Sequence, residues 1–128
     1  MNPNFEQEAR YRILKILATE PHISQREMSR RMGISLGKTN YVLSVLAEKG
    51  IIKIKRLKNA HQKIPYVYHL TPSGLEQKAR ITARFLKRKL AEYEEIKSQI
   101  KEIASEAEKD GSIDLLSDDT LKRLSSTH

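Results

Sequence analysis

The chain has 128 residues, 38% hydrophobic and 31% charged, with no Trp and no Cys and a formal net charge of +8. That suits one domain, or a small domain with an appendage, and it excludes disulfides, thiolate metal sites and thiol catalysis. No run approaches the eighteen or so apolar residues a membrane span needs, and no basic-then-apolar signal opens the chain, so a cytoplasmic protein is expected.

Phe5 to Thr19 reads as the first helix, capped by Asn4 and closed by Glu20-Pro21. Ile13, Leu14 and Leu17 fall at helical spacing, with Ile16 beside them and Arg10, Arg12 and Lys15 on other faces. Ser24-Gln25-Arg26-Glu27 has the form of a capping box, with the Ser oxygen accepting from the Glu27 amide and the Glu side chain reaching back. The helix it starts carries Met28 and Met32 as core filler and stops at Gly33, where a left-handed turn favours glycine. Ser35 caps a third helix that runs to about Lys49, with Val42, Leu43, Leu46 and Thr39 inward and Ile34 just ahead. The turn Met32-Gly33-Ile34-Ser35 makes the pair a helix-turn-helix.

After Gly50, Ile51 to Leu57 alternates as a strand, with Ile52, Ile54 and Arg56 on one face and Lys53 and Lys55 on the other. Tyr66 to Leu70 is a second strand, and the polar stretch Lys58 to Lys63 between them reads as a basic hairpin tip. Thr71 and Pro72 then suit the N-cap and first position of a helix. No breaker follows until Gly111. Leu86, Tyr93, Ile100 and Ala107 recur every seven residues, with Leu90, Ile96 and Ile103 between them, a stripe like a coiled-coil seam. Lys89 and Lys97 interrupt it. A helix near forty residues is about 55–60 Å long. A small domain cannot cover that length, so the seam is expected to meet a second copy rather than pack back. Asp110 to His128 is polar, either a short helix around Asp119 to Leu124 or a loose tail.

The charge is unevenly placed. Residues 1–70 hold 13 Lys and Arg against 5 Asp and Glu, whereas residues 71–128 hold 11 of each. A localised excess predicts a polyanion partner. An anionic membrane surface fits less well than nucleic acid, because no segment joins a basic face to a strongly apolar one.

Two segments carry a family resemblance. GISLGKTNYVLSVLAEKGIIKIKR looks like the recognition half of a winged helix-turn-helix, and YVYHLTPSGLEQKA resembles the closing strand and following helix of MarR-type (multiple antibiotic resistance type) regulators. The resemblance covers roughly residues 10–80 and is nearest to the small MarR-type regulators associated with bacterial exopolysaccharide gene clusters. It implies a mainly α fold with a small β-hairpin wing: a winged helix-turn-helix over residues 1–75, a long coiled-coil-like dimerisation helix over 76–110, and the tail 111–128. It implies a transcription regulator that binds double-stranded DNA as a homodimer on an inverted repeat. MarR-type regulators are generally longer, dimerise through both chain ends and often hold a ligand between the dimer helices and the wing domain. Here one C-terminal helix must do the dimerising, which leaves a small-molecule effector doubtful.

A recognition helix buries one face and offers the other to the major groove. With Val42, Leu43 and Leu46 inward, the offered face is Leu36, Gly37, Lys38, Asn40, Tyr41 and Ser44, behind the cap Ser35. Asn40 can pair bidentately with adenine, Lys38 can reach guanine or phosphate, and Leu36 can touch a thymine methyl. Gly37 allows close approach to the duplex, and the helix N-terminus favours phosphate. Arg26, Arg30 and Arg31 on the preceding helix suit the DNA backbone. Lys53, Lys55, Arg56, Lys58, His61 and Lys63 arm the hairpin, whose tip suits the backbone or the minor groove.

Plainer readings compete at some of these positions. Tyr41 can pack on its own helix, and Lys53 and Lys55 can be a solvated face that protects an edge strand. The dimer seam is expected at Leu86, Leu90, Tyr93, Ile96, Ile100 and Ile103. His22, His61, His69 and His128 have no paired ligand spacing, so no metal or other cofactor is expected. Glu92, Glu94, Glu95, Glu102, Glu106 and Glu108 read as a salt-bridging helix surface. No nucleophile–base pairing or phosphate loop points to an enzyme. A winged-helix protein-interaction module is the alternative function.

Overall fold

The structure is a computed structural model that describes residues 3–57 and 66–127. Five helices and one hairpin follow in the order α1 (Pro3–Thr19), α2 (Gln25–Met32), α3 (Leu36–Glu48), β1 (Ile52–Arg56), β2 (Tyr66–Leu70), α4 (Pro72–Asp110) and α5 (Asp118–Thr127), with a 3-10 turn at Ser112–Leu115. The chain divides into two compact units, Met1–Phe85 and Leu86–His128.

Helix α1 starts earlier than its sequence suggests. Asn4 lies inside the helix and does not cap it, because Pro3 already occupies a helical position, where its fixed φ is favourable and its missing N–H costs nothing. Ser24 caps α2 by accepting from the Glu27 amide at 3.1 Å. The other half of the expected capping box is replaced, since the Glu27 carboxylate accepts from Arg30 at 2.9 Å and from Arg31 at 3.1 Å. Gly33 takes φ +65°, the left-handed turn that ends α2, and Ser35 caps α3 by accepting from the Lys38 amide at 3.1 Å.

The first unit is built around one core. Ala9, Ile13, Leu14 and Leu17 of α1 meet Met28 and Met32 of α2, Val42, Leu43 and Leu46 of α3, and Ile51, Ile52, Tyr68 and Ile81. Helix α2 has only eight residues, too few to hold alone in water. It persists because its two methionines are buried here. Strands β1 and β2 pair antiparallel, from Ile52 opposite Leu70 to Arg56 opposite Tyr66. The expected alternation of β1 holds in part: Ile52 is buried but Ile54 is exposed. Ile51, outside the expected alternation, is buried as well. Tyr11 and Phe85 stack with centroids 4.4 Å apart and rings 11° from parallel.

The joint between β1 and α4 is a close backbone approach. The Thr71 amide donates to the Ile51 carbonyl at 3.1 Å, and the Thr71 hydroxyl donates to the Gly50 carbonyl at 2.6 Å while accepting from the Gly74 amide at 2.9 Å. A Cβ on Gly74 would stand 1.9 Å from the Ile51 carbonyl oxygen. Only glycine lets the first turn of α4 sit this close to the chain leaving α3.

In the second unit, Leu86, Leu90, Tyr93, Ile96 and Ile103 of α4 are each more than half exposed, whereas Ile100 is half-buried and Ala104 is buried. The Ser117 hydroxyl accepts from the Thr120 amide at 3.3 Å and opens α5, so the tail contains a helix rather than a loose segment.

Replacing Gly74→Ala forces backbone to move at the Ile51–Thr71 joint. The expected result is a loss of about 1–3 kcal/mol of stability, as for other overpacked sites, read as a lower midpoint in thermal unfolding. An unchanged midpoint would mean the approach is looser than its geometry.

Candidate nucleic-acid interface

Helix α3 presents two unlike sides. Thr39, Val42, Leu43 and Leu46 are buried, while Leu36, Gly37, Lys38, Asn40, Tyr41 and Ser44 are exposed along the opposite edge. The cap Ser35 is exposed at its start. Six sequence-derived candidates are thus exposed on α3, with Ser35 at its head. Among the described residues, beyond the adjoining backbone of α3 and its chain neighbours, nothing comes within 4 Å of a Cβ built on Gly37, so packing does not demand glycine there. Tyr41 is about half exposed. The Lys38 ammonium sits 5.1 Å from the centre of the Phe5 ring, a cation–π contact between α3 and α1.

The crossing of α2 and α3 is fixed by a polar contact within the core. Ser29 Oγ lies 2.8 Å from Thr39 Oγ1, and each hydroxyl also reaches a carbonyl, that of Gln25 at 2.8 Å and that of Ser35 at 3.1 Å. Both residues are buried. Each hydroxyl keeps a carbonyl of its own helix, so the contact between them is an added directional link across the α2–α3 crossing. Ser29 lies outside the sequence-derived candidates. Its place one residue from Met28, on a helix whose core face was legible, is the only signal in the sequence.

A second polar chain runs along the surface. Asn40 Nδ2 donates to Gln25 Oε1 at 3.3 Å, and Gln25 Nε2 donates to the Tyr68 hydroxyl at 3.1 Å. Burial pushes the Tyr68 phenol above its usual pKa, against the opposing pull of the Gln25 hydrogen bond. The Tyr68 amide also donates to the Pro21 carbonyl at 2.9 Å. The exposed edge of α3, the start of α2 and the wing strand β2 are therefore linked through Gln25, which the sequence did not single out.

The arginines of α2 are differently engaged. Arg26 is exposed. Arg30 is paired with Glu27, and Arg31 is paired with both Glu20 and Glu27. The Arg31–Glu20 pair ties the end of α2 to the end of α1. Hydrogen bonds from Arg30 and then Arg31 hold the Glu27 carboxyl down at about 2, and the Arg31 hydrogen bond also lowers Glu20. On the wing, Lys53, Lys55 and Arg56 are exposed along β1. The expected tip residues Lys58, His61 and Lys63 lie outside the described residues.

Against this geometry, the winged helix-turn-helix DNA-binding family matches residues 7–53, from α1 into β1. The fold is a winged helix-turn-helix. No curated protein matches the chain. Among solved structures, the PcaV transcriptional regulator from Streptomyces coelicolor is 26% identical, covers 78% of this chain and 78% of its own, and gives a TM-score of 0.53. The same regulator in complex with its natural ligand is 25% identical over 77% of this chain and 74% of its own, at a TM-score of 0.52. ZitR, a zinc-responsive MarR family member from Lactococcus lactis, shares the fold at 22% identity and a TM-score of 0.53, covering 92% of this chain and 68% of its own. The family match and the PcaV structures support a DNA-binding transcription regulator. Among the described residues, no helix is long and apolar enough to cross a membrane.

The Glu27 site makes stability depend on pH with a definite sign. Its folded pKa of about 2 is below the ordinary 4.5, so the stabilisation is complete above the ordinary value and is lost as pH falls from there toward 2. Denaturant unfolding of the wild type and Glu27→Gln should differ at pH 7 in favour of the wild type. The difference should shrink steadily below about pH 4.5, and a constant difference would contradict the pairing.

Proposed function

We propose that this protein is a sequence-specific regulator of transcription that acts in the cytoplasm as a homodimer on an inverted-repeat operator. The observation that carries the DNA reading is the exposed edge of α3. Lys38, Asn40, Tyr41 and Ser44 are accessible on a helix whose other side is locked into the core. Such a helix can enter a major groove without loss of its packing. Asn40 supplies a donor and an acceptor in one amide, the pattern that pairs with adenine. Lys38 adds a cation for guanine or phosphate, Leu36 reaches a thymine methyl, and Ser35 closes the helix N-terminus where phosphate is favoured. Arg26 and Arg30 face the DNA backbone, and Lys55, Arg56, Lys58, His61 and Lys63 serve the wing.

The exposed seam supports the dimer. Leu86, Leu90, Tyr93, Ile96 and Ile103 leave a long apolar stripe in water on α4, with Ile100 in the same row. A second copy of the same helix, related by a two-fold axis, would cover it with the same residues, and a two-fold protein reads two half-sites in inverted orientation. Polysaccharide genes as the target rest on the sequence resemblance alone, that of residues 10–80 to the exopolysaccharide-associated MarR-type regulators.

An operator selected from random duplexes, then titrated beside a scrambled duplex at several salt concentrations, tests the DNA reading. Lys38→Ala should weaken binding to both duplexes and reduce the salt slope by about 1. Asn40→Ala should instead remove about 1–3 kcal/mol of preference at one base pair of each half-site. Affinity that ignores salt would contradict phosphate contact.

For the dimer, Leu90→Glu with Ile96→Glu should yield monomers in sedimentation while the thermal transition of the first unit persists. Operator affinity should then fall by roughly a hundredfold or more, as the second half-site loses its tethered partner. A double variant that still sediments as a dimer would place the interface elsewhere.

A further inference from the structure

We infer that Gln25 is a specificity-determining positioning residue: it holds the Asn40 side-chain amide in the one orientation that reads adenine. The inference rests on the proposed reading of α3 and deepens it. Asparagine carries an oxygen and a nitrogen on a planar amide that can rotate by half a turn about its last bond. On an exposed helix edge the two orientations differ little in energy, yet they present opposite patterns to a base. Adenine offers an acceptor at N7 and donors at N6, so it needs the amide nitrogen and the amide oxygen side by side in one sense. With the amide reversed or wandering, the same residue suits other base edges and discrimination falls.

In the structure one contact gives the amide its sense. One hydrogen of Asn40 Nδ2 is directed at Gln25 Oε1, 3.3 Å away. Among the described residues nothing else bonds this amide, so the second hydrogen of that nitrogen and Oδ1 are left for a partner outside the chain, the donor–acceptor pair adenine requires. Gln25 is itself held. Its Nε2 donates to the Tyr68 hydroxyl at 3.1 Å, and Tyr68 is among the most buried side chains of the core. Its backbone carbonyl accepts from buried Ser29 at 2.8 Å, and its neighbour Ser24 is locked as the cap of α2. Gln25 is half-buried at the first position of α2, while Asn40 is exposed. The arrangement is thus an exposed reading group backed by an anchored one, the geometry that recognition needs from its supporting contacts.

The test measures binding of the full-length protein to the selected operator and to variants carrying each of the other three base pairs at every half-site position. Asn40→Ala locates the base pair that Asn40 reads. At that base pair, Gln25→Ala should lower discrimination by roughly five- to tenfold, with unchanged affinity for scrambled DNA and an unchanged salt slope. In an Asn40→Ala background, Gln25→Ala should change the ratio no further. Gln25→Glu keeps the acceptor facing Asn40, so it should retain the discrimination ratio even though its added charge weakens binding to every duplex. A purely structural role would lower the thermal midpoint and weaken all duplexes alike without altering that ratio. If Asn40→Ala relaxes one position and Gln25→Ala leaves that position unchanged, the inference is wrong while the regulator reading stands. If Gln25→Glu loses the ratio as fully as Gln25→Ala, the oriented-amide account is also wrong. If Asn40→Ala relaxes no position, the base reading of Asn40 fails and the inference falls with it.

Discussion

Helix α3 has to hide Val42, Leu43 and Leu46 on one side while keeping Lys38 and Asn40 in water on the other, and most of the first unit serves that division. Each of those three side chains is almost fully buried, at roughly 1.5–3 kcal/mol apiece. The partners that bury them come from α1, α2 and the start of the wing, so none of these elements stands independently. An eight-residue helix such as α2 exists only because this core accepts Met28 and Met32. The wing strand contributes Tyr68, one of the largest fully buried side chains. What looks like a surface hairpin is therefore anchored in the same apolar contact that orients α3.

Apolar burial is not directional, so it fixes which side of α3 is inward more firmly than it fixes the crossing of α2 and α3. The polar contacts supply the finer setting. Ser29 and Thr39 meet within the core at 2.8 Å, and a slip of either helix would lose this contact, worth about 0.5–1.5 kcal/mol, and leave each hydroxyl only the carbonyl of its own helix. Thr71 and Gly74 perform a similar office at the entry to α4, where the available space admits a hydrogen and nothing larger.

Charge in the first unit is arranged in two populations. Glu6, Glu8, Glu20 and Glu27 pair with Arg10, Arg12, Arg30 and Arg31 in short-range bridges. These pairs are at or near the surface and of small individual worth. Four of the five acids of residues 1–70 are consumed in this way, so the positive excess falls on residues such as Lys38, Lys53, Lys55 and Arg56. Arg30 belongs to both populations: it was legible as a DNA-backbone contact, yet in the folded chain Glu27 already engages it. A phosphate would have to compete with that carboxylate.

The sequence alone determined the features that depend on near neighbours. The caps Ser24 and Ser35, the left-handed Gly33, the inward face Thr39, Val42, Leu43 and Leu46, and the strand pair all follow from spacing and turn chemistry, which act over a few residues. The start of α1 escaped because a proline at a first helical position and an Asn cap compete for adjacent places. Ile54 escaped because alternation gives the face of a strand but not how far the core extends beneath it. Only the tertiary structure decided what joins residues distant in the chain. Gln25 reaches Asn40 and Tyr68 across fifteen and forty-three positions, and Gly74 meets Ile51 across a whole hairpin. Such contacts arise when the core brings separate segments together, and no local pattern of residue types encodes a hydrogen bond between groups that are neighbours in space alone.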